Sequence, residues 1–340
     1  MASPLVSLPI ELFQRVVELL SIEDARDLLS TCSNLYGNGK HVLDKKCFGV
    51  LPVNLSEESL LQAEDILTEE PCHRFLQAVR IRLDQYDFDG PYGQEHEEAA
   101  EHLASVLTRA LQVSAKCDTI IIYDSPKIFD DIDGEKMRTV AEAIDMMDKI
   151  KPFKVRVQNI RTYNSTDLWI FGDDIIDNLQ SIELRFDGED QGLWELRHIR
   201  QVLSTAPNLE ELSLIVNSDA ISSKAVRRIT ESISSEKLKS LTIAGVSTSG
   251  VDLQEIIRPF EASIKKLTLK YADFDDFRSF IKFIVYIKNN LSLDYVYFKE
   301  ISEAGWFFLD REKFSGEDIV QNLKSLKRDI LNNPKIKRRR

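Results

Sequence analysis

Asn178–Leu184 reads N-L-Q-S-I-E-L, and Asn208–Leu214 repeats it as N-L-E-E-L-S-L. The same figure returns as K-L-K-S-L-T-I over Lys237–Ile243, S-I-K-K-L-T-L over Ser263–Leu269 and S-L-D-Y-V-Y-F over Ser292–Phe298. Every copy sets an apolar residue three positions before an alternating apolar pair. Period-two alternation over so short a run is the signature of a half-buried strand. Aligning the copies on Ile182, Leu212, Leu241, Leu267 and Val296 gives steps of 30, 29, 26 and 29 residues. Weaker copies centre on Ile81, Ile120 and Val155, so the alternation predicts eight strands.

Between the strands the period lengthens to that of a helix. Leu193, Leu196, Ile199 and Leu203 share one helix face; Phe277, Phe280, Ile281 and Ile284 share another. Leu253, Ile256, Ile257, Phe260 and Ile264 make a third, which Pro259 is expected to kink or shorten. An α/β chain of strand–helix units every 26–30 residues resembles the leucine-rich-repeat family, in a degenerate form. The asparagine of that family's loop ladder is present only at Asn217, and 84–95 and 125–135 lengthen the early units. The rival is an open α/β sheet with a nucleotide site, against which stands the absence of a Gly-rich phosphate loop after any strand.

The repeat resemblance implies a sheet whose apolar pairs point inward and whose intervening residues line a concave face. Those intervening positions hold eight basic and three acidic residues, net +5, in a chain of net charge −12. Arg80, Arg82, Tyr123, Lys154, Arg156, Arg185, Lys266, Lys270, Tyr295 and Tyr297 are the candidate target-binding residues. Basic side chains interleaved with tyrosines suit an acidic or phosphorylated protein segment. Solvated strand residues without a ligand are the alternative.

The first 50 residues follow another pattern. Pro9 suits the first position of a helix and Glu11 its first turn. Leu12, Val16, Leu19 and Leu20 follow at helical spacing, widened by Phe13 and Val17. Ser21 and Asp24 form the start of a capping arrangement for a second helix carrying Leu28, Leu29 and Cys32, and Gly37 and Gly39 are expected to break the pattern. Leu8-Pro9, Glu11-Leu12, Val16, Leu19-Leu20, Asp24, Leu28-Leu29, Cys32 and Leu35 together resemble the F-box, over about Leu5–Phe48. The leucine–tryptophan pair with which that family often ends is replaced here by Lys46-Cys47-Phe48.

The resemblance implies an F-box domain at 5–50 and a repeat domain with a C-terminal helix and basic tail at 51–340, of a kind abundant in fungi. It further implies docking on the Skp-type adaptor of a Skp–cullin–F-box ubiquitin ligase. Leu8, Pro9, Leu12, Val16, Leu28 and Leu29 are the expected adaptor contacts. The protein would then be a non-catalytic substrate receptor in ubiquitin-dependent degradation. The alternatives are a scaffold acting outside ubiquitin ligation and, for the front helices, a pair that merely packs on the chain behind it.

Composition narrows the other classes. The chain has 340 residues, 44 Lys+Arg and 56 Asp+Glu, a poor match to a nucleic-acid surface. The longest runs free of charge are 12 residues, Leu28–Gly39 and Ser240–Val251, against about 20 for a membrane span. Cys32, Cys47, Cys72 and Cys117 show no paired spacing, so free thiols and an intracellular setting are expected. His96 and His102 stand six apart rather than at zinc-helix spacing, and the loops around Asp87–Gly90 and Asp131–Gly134 lack the ligands that close a calcium site. No catalytic residue, cofactor or metal site is predicted. Phe260–Arg340 carries 17 basic and 12 acidic residues and ends in Lys335–Arg340, a cluster that resembles a nuclear-import signal; cytoplasm, nucleus or both are the expected compartments.

Overall fold

A computed structural model describes residues 4–83, 94–124, 134–161, 171–186, 196–216, 223–303, 306–316 and 318–332. It is an α/β fold in which parallel strands alternate with helices, and it divides into two compact units. The first comprises 1–122 and 142–154, the second 123–141 and 155–340.

The first unit opens with three helices: α1 (Ile10–Leu19), α2 (Ile22–Ser30) and α3 (Ser33–Phe48). Pro9 is the N-cap of α1 rather than its first residue, and Ser21 caps α2 by accepting the Asp24 N–H at 3.0 Å. Lys46 of α3 reaches back to the carbonyls of Val17 and Leu20, placing a cation on the negative end of α1. Phe13, Val17, Ala25, Leu29, Leu35 and Val42 form the core of the trio. The expectation that Gly37 and Gly39 end the helical pattern is corrected, because α3 runs through both. A Cβ at Gly39 would lie 2.4 Å from a Leu29 methyl and 3.1 Å from the Phe13 ring, so glycine here lets α3 close on the other two helices.

Only Gly49 separates α3 from strand β1 (Val50–Asn54), so no linker marks the boundary expected after residue 50. Next come α4 (Glu57–Ile66), α5 (Glu70–Phe75), β2 (Ala78–Arg82), α6 (Gln94–Val113) and β3 (Thr119–Tyr123). β1 was not among the eight expected strands: Pro52 interrupts its pattern. The sheet tolerates that proline because, among the described residues, β1 is paired on one side only, with β2. After α7 (Gly134–Met146), the second unit continues with β4 (Lys154–Arg161), α8 (Asp173–Asn178), β5 (Leu179–Phe186), α9 (Leu196–Thr205), β6 (Glu211–Val216) and α10 (Ser223–Thr230). It closes with β7 (Ser240–Ala244), β8 (Ser247–Thr248), α11 (Gly250–Ile257), β9 (Lys266–Lys270), β10 (Asp273–Phe274), α12 (Phe277–Asn290), β11 (Tyr295–Glu303), β12 (Trp306–Ser315) and α13 (Ile319–Asn332). Pro259 does shorten its helix: α11 stops at Ile257 and a 3-10 turn follows.

In the second unit the order β4-β5-β6-β7-β9-β11 is parallel throughout, and the register pairs Ile182 with Leu212, Leu212 with Leu241, Leu241 with Leu267, and Leu267 with Val296. Those are the five residues on which the sequence copies align. All five are at most 2% exposed. The weaker copy is corrected from Val155 to Val157, which pairs with Ile182, while Val155 pairs with Leu179. The register shifts again between Val157 and Ile160, where Asn159 is in the left-handed region at φ 62°. β8, β10 and the antiparallel β12 on β11 were not anticipated; β12 carries four consecutive charges, Asp310–Lys313, instead of the apolar figure.

β7 and β9 end, and β11 bends, at a shared turn. Ala244, Lys270 and Lys299 are in register, and the residue after each has positive φ: Gly245 at 74°, Tyr271 at 53° and Glu300 at 51°. The turn aims the Gly245 N–H at the Lys270 carbonyl (2.9 Å) and the Tyr271 N–H at that of Lys299 (2.8 Å). A Cβ on Gly245 would sit 1.6 Å from the Val216 carbonyl oxygen. Gly316 also has positive φ (80°) but has nothing within 4 Å. Gly316→Ala is therefore expected to cost only the left-handed penalty of about 1–2 kcal/mol. Gly245→Ala adds a backbone collision and should lose at least twice as much, read as the difference in denaturant midpoints of the two variants.

Candidate functional site

Each unit carries one surface with chemistry beyond packing. On the front helices, α1 has two apolar stripes. Phe13 and Val17 turn into the core, while Ile10 (44% exposed), Leu12 (56%) and Leu19 (78%) face out. Val16 lies half-buried on the outward stripe, Tyr36 of α3 is 46% exposed, and Pro9 is exposed. Leaving four large apolar side chains in water on so small a module is costly unless a partner covers them. Leu8 and Leu28 are half-buried against the trio's core, and Leu29, at 1% exposure, belongs to that core. Of the six residues expected to touch an adaptor, Pro9 and Leu12 are thus the most accessible. Leu19 and Ile10 were passed over; the signal for Leu19 was its place seven residues after Leu12 on one stripe.

In the second unit the residues flanking the buried stack form a groove of about 570 Å³. Ser213, Ser240, Thr242 and Ala244 are short and leave its middle low. Gln158, Glu183 and Arg185 stand at one end, and Lys270, Tyr271, Tyr297 and Lys299 at the other. The register arranges these side chains in rows. One row runs Arg185, Ile215, Ala244, Lys270, Lys299, and Arg311 of β12 completes it as the direct partner of Lys299. The next runs Glu183, Ser213, Thr242, Thr268, Tyr297 and Lys313.

Tyrosine rings separate the cations. Lys270 Nζ lies 6.0 Å from the centre of the Tyr297 ring and the Arg311 guanidinium 5.8 Å from it. Lys313 approaches Tyr295 at 5.5 Å, and Lys299 lies 4.6 Å over Tyr271. Lys299 Nζ also donates to Tyr271 Oη at 2.5 Å and pairs with Glu300 at 3.2 Å. The hydrogen bond to Tyr271, then that to Glu300, lifts the Lys299 pKa, so this ammonium stays charged throughout the physiological range. At the far end Arg185 is neutralised by Glu183 at 3.2 Å.

The structure sorts the ten predicted target-binding residues. Arg185, Lys270 and Tyr297 line the groove, and Lys266 and Tyr295 form the adjoining row through their register with Ser240. Arg156 joins that row opposite Ser181, one row away from its expected place. Arg80, Arg82 and Lys154 belong to the first unit, where Lys154 is paired with Asp118 at 3.0 Å; Tyr123 ends β3. Tyr271, Arg311 and Lys313 were missed. The last two lie on the unanticipated β12, whereas Tyr271 could have been found by aligning it with Gly245 in the preceding copy.

A scan of protein-family models and a search of curated proteins found no match to this chain.

Tyr271 is a bulky residue held where glycine is preferred, 47% exposed, at the rim of the groove. Strain of this kind, about 1–3 kcal/mol, persists where a site uses it. Tyr271→Asn replaces it with a residue at ease in that conformation. The thermal midpoint is expected to hold or rise by a few degrees; a clear fall would mean that the ring is kept for packing.

Proposed function

We propose that this chain is a non-catalytic substrate receptor of a Skp–cullin–F-box ubiquitin ligase. Its three front helices would act as an F-box docked on a Skp-type adaptor, and its strand–helix units as a degenerate leucine-rich repeat that holds the target. The observation that carries this assignment is the outward stripe of Leu12, Val16 and Leu19, with Ile10 also exposed at the start of the helix, over a trio that already has a core of its own. A helix with one apolar face satisfied internally and another in water is built to complete a shared core. The F-box-like spacing of Leu8-Pro9, Asp24, Leu28-Leu29 and Cys32 on the same helices supports a Skp-type adaptor as that partner.

The in-register steps of 30, 29, 26 and 29 residues support the repeat assignment, since each unit adds one strand to the same face. In this scheme the protein contributes proximity. Ubiquitin transfer takes place on other subunits, and holding the target near them turns an encounter between molecules into one within a complex.

Leu12→Asp/Leu19→Asp in the full chain tests the docking face. Both positions are exposed, so folding and thermal midpoint are expected to remain as in the wild type. Co-purification with a Skp-type adaptor should be lost, because each carboxylate would be buried without a partner. Retention of the adaptor by the double variant, or none by the wild type, would overturn the assignment. An adaptor complex lacking any cullin would instead favour a scaffold outside ubiquitin ligation.

A further inference from the structure

Lys270, Lys299 and Arg311 sit directly opposite one another on β9, β11 and β12. Like charges in register weaken a sheet, so three in a row need a reason. Lys266 and Lys313 add two more cations on the same strands and the same face. Among the described residues Lys266, Lys270, Arg311 and Lys313 make no ion pair, in a chain whose net charge is −12. Of the five cations, Lys299 has a carboxylate partner, Glu300 at 3.2 Å; the other four are left without one among the described residues.

The arrangement also limits what the anion can be. A phosphate dianion is held best by donors that converge on one point, such as an arginine fork or a helix N-terminus. Here the three charges are spread over two strand spacings, roughly 10 Å, with the Tyr271 and Tyr297 rings set among them. Separate monoanions along an extended chain match that spread, since alternate residues of a strand lie about 6.6 Å apart. The groove crosses β4, β5, β6, β7, β9 and β11, roughly 24 Å, which is the reach of about seven extended residues. Its low middle of Ser213, Thr242 and Ala244 admits a backbone, and its β5–β6 end presents Glu183 and Glu211 in place of free cations.

We infer that the groove of the second unit binds an extended, unphosphorylated acidic segment of a target protein, its carboxylates on Lys270 and Arg311, either side of the Glu300-paired Lys299, and its neutral or basic end over Glu183 and Glu211. This deepens the receptor assignment by naming the class of target, and depends on it only for what becomes of the bound protein. Attraction is local, because the chain as a whole repels acidic partners; binding is therefore strongest at low salt and falls as the patch is screened.

Selection of random twelve-residue peptides displayed on phage, against the immobilised full-length chain, tests the inference. The selected sequences should be enriched in Asp and Glu at alternate positions. A synthetic peptide carrying the enriched sequence should bind at least tenfold more weakly to Lys270→Glu/Arg311→Glu. The milder Lys270→Gln/Arg311→Gln covers the case in which charge reversal disturbs the sheet. Lys224→Glu/Lys282→Glu, the same change in charge on exposed helical positions of the second unit, should bind like the wild type. Three outcomes would overturn the inference: no acidic enrichment, an equal loss in the helical control, or tight binding only when phosphoserine replaces an acidic residue. Adaptor retention measured on the same samples separates the two proposals. Loss of peptide with the adaptor retained marks failure of the groove, and loss of adaptor with the peptide retained marks failure of the docking face.

Discussion

The parallel register that stacks Ile182, Leu212, Leu241, Leu267 and Val296 fixes which residues reach each face of the second unit. Side chains alternate with a period of two, so once these five are committed to the core, their neighbours have no choice of side. A slip by one residue would bury Lys266 and Tyr297 and expose the leucines, which is why the register is strongly specified. Burial of the stack thus builds the groove as a by-product: short residues at Ser213, Thr242 and Ala244 lower the floor, and Lys270, Tyr297 and Lys299 raise the wall.

The ends of the strands add what alternation cannot. Gly245, Tyr271 and Glu300 turn the chain through the left-handed region at one repeated position, and only the first meets a neighbouring backbone. Gly245 lies against the Val216 carbonyl and has no freedom to change. Tyr271 and Glu300 are spared that collision, and both then act on the same side chain, Lys299, one by hydrogen bond and the other as its carboxylate partner. The backbone device is common to three units, while its use at the groove is particular to two of them.

The front helices follow a different rule. A trio this small has few residues to bury, and it has closed its core by letting α3 pass over Gly39, within touching distance of Leu29 and Phe13. The tight closure frees the other side of α1. Leu12 and Leu19 are not left over from a poor core; they stand on a helix whose inward stripe is already complete.

Much of this was determined by the sequence alone. The apolar copies and their steps specify the α/β class, the strand centres from Ile182 to Val296 and the helix faces of α11 and α12, because burial imposes its period directly on the order of residues. Arg185, Lys266, Lys270, Tyr295 and Tyr297 were legible as flanking residues for the same reason. Tertiary structure decided what depends on contacts between distant segments. Gly37 and Gly39 resemble breakers until Leu29 is seen against the second, and Pro52 resembles a break until β1 is seen to be an edge. The pairing of β4 with β5 places Arg156 opposite Ser181, a register that its apolar alternation alone does not fix. Arg311 and Lys313 extend the rows of the groove only because β12 folds back antiparallel on β11, a pairing set by hydrogen bonds between backbones that no alternating apolar pattern in β12 announces. Periodic burial is written in neighbouring residues, whereas a close approach, a shift of register or a returning strand is settled by what lies across the space between them.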